Sequence, residues 1–323
     1  MSTSKVAVIQ ASSIPFEPMK SIEKACGILE RVSRNGAELA VFPEAFIGGY
    51  PKGSCFGSVV GNRHNDGRKL YQKYVQGAVS LDGPELACLA QKVTETNVSV
   101  VMGIIEKLGR TLYCTALTLL LNQGIVGIHR KLMPTGLERL IWGFGDGSTM
   151  KTVDTPMGRI GNVICWENYM PALRQPMYAQ GTEIYCTPTA DDRPTWLSSM
   201  VHIALEGRVF VLSSCQAIKL NEYPDYFQAQ FSLENVAEND FLMHGGSCII
   251  SPYGEVLAGP VFDEETELYA DINLSQTQQT NLDLDAAGHY SRPDIFQLQV
   301  NTSSRSAVNF SDDCAQASSD ATA

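Results

Sequence analysis

Short apolar runs alternate with amphipathic stretches along most of the chain, and this alternation predicts its elements. Residues 5–11 (KVAVIQA) form a β-branched run that reads as a buried strand. Ile22, Cys26, Leu29 and Val32 then recur at helical spacing, which predicts a helix over 18–35 ended by Gly36. Residues 39–42 (LAVF) read as a second buried strand closed by Pro43. Strand, helix and strand within about 40 residues is the signature of a βαβ unit.

Residues 45–75 break the pattern with Gly, aromatic and polar positions, and are expected as a long irregular loop of the functional kind. A helix over 86–96 follows, then strands over 98–106, 111–121 and 125–131, with Gly109 in the first turn. The second half repeats the alternation. It predicts a hairpin of 151–155 and 159–164, a helix over 171–180 and a strand over 183–187. A helix over 195–207, with Leu197, Met200, Val201 and Leu205 on one face, precedes a strand over 209–214. A hairpin over 247–257 and a strand over 268–272 close the series. Many buried strands with few long helices predict a sheet-rich, layered α/β domain. No linker interrupts the pattern, so 1–302 reads as one domain. Residues 303–323, rich in Ser, Ala and Asp, have little to bury and are expected to be a disordered tail.

Charge and composition narrow the function. The 323 residues carry 24 Lys+Arg against 35 Asp+Glu, a formal charge of -11. That removes the basic footprint of a nucleic-acid or anionic-membrane binder. The longest apolar stretch, 111–121, falls well short of the roughly 20 residues a spanning helix needs. The opening MSTSKVAVIQ has no secretory apolar region, so a cytoplasmic protein is the expectation. Nine cysteines occur without a C-x-x-C, which suggests neither a zinc ribbon nor a thioredoxin-type pair. One question is left by the count: whether one of the nine is a nucleophile.

Cys165 stands where a strand should end and a helix begin, in GRIGNVIC followed by WENYMPALRQ. Asn168 is a candidate N-cap there, and Pro171 suits a first helical turn. A thiol at such a junction faces the positive end of the helix dipole, which favours the thiolate. The other reading is one more core cysteine. A thiol nucleophile needs a base, and none of the five histidines (64, 129, 202, 244 and 289) sits in a Cys-His pattern. Glu44 follows a buried strand and a proline, at the carboxyl end where α/β proteins place their sites. Apolar surroundings would raise its pKa toward that of a useful base; otherwise it is a solvated loop glutamate. Lys131 ends a strand and could stabilise a thiolate or an oxyanion, or simply face solvent. Glu138, seven residues on, could pair with it. WGFGDGS (142–148) lacks dinucleotide-loop spacing and reads as a tight turn.

Three separated stretches together resemble the nitrilase family of carbon–nitrogen hydrolases. They are FPEAFIGGYP around Glu44, HRKLMPTGLERLIWGFGDG around Lys131 and Glu138, and VICWENYMP around Cys165. The likeness runs from VAVIQAS at residue 6 to AGHYSRPDIF at 287–296. The resemblance implies a four-layer αββα sandwich with Cys165 as nucleophile and Glu44 as general base. It implies Lys131 as cationic stabiliser and Glu138 as a second glutamate that organises the site. It also implies no metal and no organic cofactor, a small-molecule nitrile substrate, and homodimers paired through one helical face that can extend into spiral oligomers. Asn168 after Cys-Trp-Glu resembles the plant- and bacterial-type branch, where cyanide-degrading relatives usually carry His. By position, Tyr50, Trp166, Asn168, Thr189 and Trp196 are candidates to line the substrate pocket. The expected reaction is hydrolysis of an organic nitrile to carboxylic acid and ammonia. The alternatives are a thiol amidase or N-carbamoylase of the same superfamily, an amide-forming nitrile hydratase side activity, or a non-catalytic protein on the same fold.

Overall fold

The computed structural model of the protein describes residues 3–229, 237, 239–306 and 308. Along the chain, strand β1 (Ser4–Gln10) leads through helix α1 (Pro18–Arg34) to β2 (Leu39–Val41). A small hairpin, β3 (Ser58–Val59) and β4 (Asn62–Arg63), precedes α2 (Asn65–Gln76) and α3 (Pro84–Thr96). Then come β5 (Ser99–Leu108), β6 (Thr111–Leu120), β7 (Gly124–Arg130), β8 (Val153–Thr155) and β9 (Gly158–Asn162). The second half contains α4 (Pro171–Ala179), β10 (Ile184–Thr189), α5 (Trp196–Gly207), β11 (Phe210–Cys215) and β12 (Ala217–Lys219). A single-turn α6 (Asp225–Gln228), β13 (Phe241–Ile250), β14 (Val256–Phe262), β15 (Thr266–Ile272) and α7 (Ser275–Thr280) follow.

The strands make two main sheets, one in the order β15-β1-β2-β5-β6-β7 and the other β12-β13-β11-β10-β9-β8, with β14 added on β13. β1, β2 and β5 are mutually parallel, as are β9, β10 and β11. The period-2 alternation of a strand explains the layering. Ala7 and Ile9 of β1 pack with Ile22, Ile28 and Leu29 of α1 and Leu89 of α3. Val6 and Val8, on the opposite face, pack with Ile184, Phe210 and Leu212 of the second sheet. Tyr185 and Val211, which alternate with those residues, pack outward against Met200 and Ile203 of α5. Both faces of both sheets are therefore buried, and the chain forms a four-layer αββα sandwich, as the family resemblance implies.

Two regions differ from the sequence-based expectation. Part of the expected irregular loop over 45–75 is the helix α2. Its sequence, NDGRKLYQKYVQ, is mostly polar, and only Gly67, Leu70 and Tyr74 are buried, so the helical stripe is faint. Gly67 is required there: a Cβ would lie 1.9 Å from the carbonyl oxygen of Phe56. The expected hairpin over 247–257 is the centre of a longer pairing between β13 and β14. The expected disordered tail lies outside the described residues except for 303–306 and 308, and the Arg305 N–H donates to Asp146 (2.7 Å). No helix among the described residues is long and apolar enough to cross a membrane.

Candidate active site

In the first sheet β7 runs in the same direction as β2, because two antiparallel steps through β6 separate it from β5. The carboxyl ends of β2 and β7 therefore share one edge, and Glu44 and Lys131 are delivered there. Glu44 is fully buried, and Ala45 after it turns the chain at φ 52°. Lys131 is held by its own N–H, which donates to the Cys114 carbonyl (2.8 Å). Its Nζ donates to Glu44 Oε1 (2.7 Å) and to Glu138 Oε2 (2.8 Å).

Glu138 sits in a short 3-10 turn, Gly136–Leu140, whose first residues it also caps. Its Oε2 accepts the Thr135 N–H (2.6 Å) and its Oε1 accepts the Tyr50 hydroxyl (2.6 Å). Every oxygen of Glu138 is thus engaged, whereas Glu44 Oε2 is buried with no hydrogen-bond partner. A buried carboxylate oxygen without a partner is costly unless a proton or substrate uses it.

Cys165 approaches from the second sheet, three residues beyond the end of β9. Its φ is 51°, the left-handed region that a residue with a Cβ seldom occupies, so the turn that presents it is strained. Neighbouring side chains hold that turn. Glu167 Oε2 accepts the Ile164 N–H (2.9 Å), and Asn168 Nδ2 donates to the carbonyls of Cys165 (2.7 Å) and Val163 (3.2 Å). The Thr189 hydroxyl, at the end of β10, hydrogen-bonds the Cys165 thiol.

The expectation of a helix dipole acting on Cys165 is corrected by the structure. A 3-10 turn, Cys165–Tyr169, intervenes, and α4 starts only at Pro171, with Met170 as its N-cap. Asn168 is therefore no N-cap; its Nδ2 donates to the Val163 and Cys165 carbonyls and to the Thr187 hydroxyl, and its Oδ1 is buried without a partner. The thiol is pushed up to about 12, first by burial and then by the nearby Glu44 charge, with Lys131 pulling the other way. Cys165 is accordingly a neutral thiol at rest. Burial raises the pKa of Glu44 above its ordinary value of 4.5, in spite of Lys131. Lys131 remains charged: burial opposes this, but Glu44 and the other acidic groups around it outweigh burial and raise its pKa. A neutral thiol, a carboxylate with enhanced proton affinity and a fixed ammonium are the groups that nucleophilic catalysis with a base and an electrostatic stabiliser requires.

The proposed pocket residues divide. Tyr50 joins the cluster through Glu138 and stands edge-on to Trp142 (5.8 Å between centroids). Thr189 touches the thiol. Trp166 is 42% exposed beside the elbow, its N–H donating to Asp191 (2.8 Å) and the Arg193 guanidinium 5.0 Å above its ring. Trp196 is corrected: it is a core side chain, 2% exposed, packed with Met200 and Val211, its N–H on Ser213 Oγ (2.9 Å). Its reach toward a pocket is blocked because it lies on the inner face of α5.

Sequence reasoning missed His129 and Glu167. Both are buried, with His129 Nε2 2.9 Å from Glu167 Oε2. Burial lowers the His129 pKa, but the Glu167 charge and hydrogen bond outweigh it and the net shift is upward. Glu167 Oε1 also accepts the Leu132 N–H (2.6 Å). Glu167 thus fastens the Cys165 elbow to the backbone beside Lys131. A signal existed: His129 and Lys131 are two apart on a strand end and so share a face. A cleft of about 920 Å³ between Gln175 of α4 and Phe296 is lined by none of these residues. No group of three or more metal-ligating side chains lies among the described residues.

Comparison with known proteins matches the chain to one family. The carbon–nitrogen hydrolase family model matches residues 5–282. A nitrilase of Bradyrhizobium diazoefficiens is 53% identical over 307 residues, covering 95% of each chain. The chain belongs to the nitrilase family of carbon–nitrogen hydrolases. It is an enzyme, a nitrilase acting on carbon–nitrogen bonds. A bifunctional nitrilase/nitrile hydratase of Nicotiana tabacum is 47% identical over 318 residues, covering 98% of this chain and 91% of the relative. At the level of fold, a carbon–nitrogen hydrolase from Helicobacter pylori superposes with a TM-score of 0.70 at 19% identity, over 91% of this chain and 97% of that one.

Proposed function

We propose that Cys165, Glu44, Lys131 and Glu138 carry the nitrilase reaction, with Tyr50, Thr189 and Trp166 bordering the substrate. The unpartnered Oε2 of Glu44, buried in the same cluster as the neutral Cys165 thiol, carries this reading. As the sulfur attacks the nitrile carbon, its proton passes to Glu44 and on to the nitrile nitrogen, giving a thioimidate. Water then adds to the thioimidate carbon with Glu44 as base. The tetrahedral intermediate expels ammonia and leaves a thioester. A second water, again activated by Glu44, hydrolyses the thioester to the carboxylic acid and restores the thiol. Lys131 stabilises charge developing on the substrate nitrogen and then oxygen, without reorganising, because Glu44 and Glu138 already fix it. Glu138, whose oxygens are all engaged, positions Lys131 and Tyr50.

Ammonia release from phenylacetonitrile, benzonitrile and a dinitrile, each beside its matching amide, tests the reading. Nitrile turnover with a thioester or thioimidate adduct on Cys165 is the expected result. Turnover of amides alone, or an adduct on another cysteine, overturns it. The bifunctional tobacco relative favours a second product: if the tetrahedral intermediate loses the thiol instead of ammonia, an amide results. The acid-to-amide ratio from one nitrile reads that partition. The proposal also includes pairing of two copies of the chain. Exposed Tyr290, Phe296 and Leu298 beside α4 support such pairing, and sedimentation would read it.

A further inference from the structure

Two further cysteines meet on the outer helical layer, remote from the reactive cluster. Cys26 lies on α1 and is half-buried, and Cys88 lies on α3 and is exposed. The helices cover the same sheet face and pack together on one core, with Ile22, Ala25 and Leu29 of α1 beside Leu86, Leu89 and Val93 of α3. Their side chains meet in register over three successive turns. The Cys26 thiol is in side-chain contact with Cys88. One turn on, Lys92 Nζ donates to Glu30 (3.1 Å). In the next turn the Ser33 hydroxyl donates to the Thr96 carbonyl (2.7 Å). The ion pair and hydrogen bond fix the helices against sliding, so the thiols are held opposite each other.

We propose that Cys26 and Cys88 form an oxidation site, at which a hydroperoxide converts the two thiols into a disulfide that clasps α1 to α3. The exposed Cys88 meets the oxidant first. Its sulfur takes the terminal oxygen of the hydroperoxide as the O–O bond breaks, releasing an alcohol, or water from hydrogen peroxide. The sulfenic acid so formed is attacked by the sulfur of Cys26. The S–O bond breaks, the hydroxyl leaves as water with the Cys26 proton, and the S–S bond forms. Two thiols are oxidised and one peroxide is reduced. Burial, with Cys88 adding to it, pushes the Cys26 thiol up to about 11, which disfavours it as the first sulfur to meet the oxidant. Cys165 is less open to the same oxidant, because it is buried and protonated.

The test treats the full chain with hydrogen peroxide, alkylates the free thiols and maps peptides without reduction. The expected result is a peptide pair joined through Cys26 and Cys88, released by dithiothreitol. Cys26→Ser and Cys88→Ser each lose that species while keeping nitrile turnover within about two-fold, which shows that they fold. Cys26→Ser should accumulate a dimedone-reactive sulfenic acid on Cys88. Recovery of both peptides fully alkylated after peroxide treatment, or of Cys88 over-oxidised while Cys26 stays free, would overturn the proposal. Neither result depends on the nitrile chemistry.

Discussion

The space between the two sheets and the edge where their strands end are both buried, yet they contain opposite chemistry. Between the sheets Val6, Val8, Phe210, Leu212 and Ile249 form one apolar cluster. At the carboxyl edge two glutamates, a lysine and a thiol are buried together, with one carboxylate oxygen unmatched. The first arrangement is favourable by burial alone. The second is unfavourable for each charge taken singly, and is held because the layers around it over-determine the geometry. Stability therefore resides chiefly in the centre of the sandwich and reactivity at its rim.

Substitutions in the two regions should separate these properties. Glu44→Gln should give the largest effect, lowering kcat by about 10²–10⁴ through loss of the base. Its melting temperature should stay close to wild type, since Lys131 keeps Glu138; a parallel collapse in thermal unfolding would make Glu44 a structural group instead. Leu212→Ala, at a fully buried inter-sheet position, should do the reverse. Denaturant titration should show a loss of about 2–5 kcal/mol, with kcat/KM of the folded fraction nearly unchanged.

Glu167→Gln probes the boundary between the regions. It keeps the side-chain shape but removes the charge that holds His129 and one of the strong acceptors for Ile164 and Leu132. A fall in kcat of about ten-fold to a hundred-fold, with KM little altered, is expected from misplacement of the Cys165 elbow. An unchanged kcat would show that the elbow is held without it.

The smallest effect is on pH dependence. The Glu44 pKa is raised above 4.5, so the acid limb of kcat/KM should lie above that value. A raised folded-state pKa means that Glu44 adds its full contribution to stability below 4.5 and loses it as pH rises through the folded value. Glu44→Gln should flatten the stability curve in that window; an unaltered curve would show that Glu44 titrates as an ordinary carboxyl.

Much of this was legible along the chain. The runs KVAVIQA and LAVF, and the stripe Ile22, Leu29 and Val32, marked β1, β2 and α1 because they are buried on all or one face. α2 was hidden because only three of its residues face inward. Glu44, Lys131 and Cys165 stood out by their places at strand ends and by family likeness, and Glu138 by family likeness. Trp196 misled because its position after a buried strand suited a pocket as well as a core. Thr189 and Trp196 are seven residues apart, yet one touches the thiol and the other is packed inside the outer layer.

The sequence by itself determined the alternation of strands and helices and the burial of both sheet faces. These depend on side-chain type and local period. Only the tertiary structure decided that the thiol is held neutral, that Glu44 keeps one oxygen free, and that Glu167 ties the Cys165 elbow to the strand of Lys131. Those properties arise from desolvation and from contacts between residues 35 to 121 positions apart. Neither is written in any single stretch of chain, because a pKa or an unmet hydrogen bond belongs to the packed neighbourhood rather than to the residue.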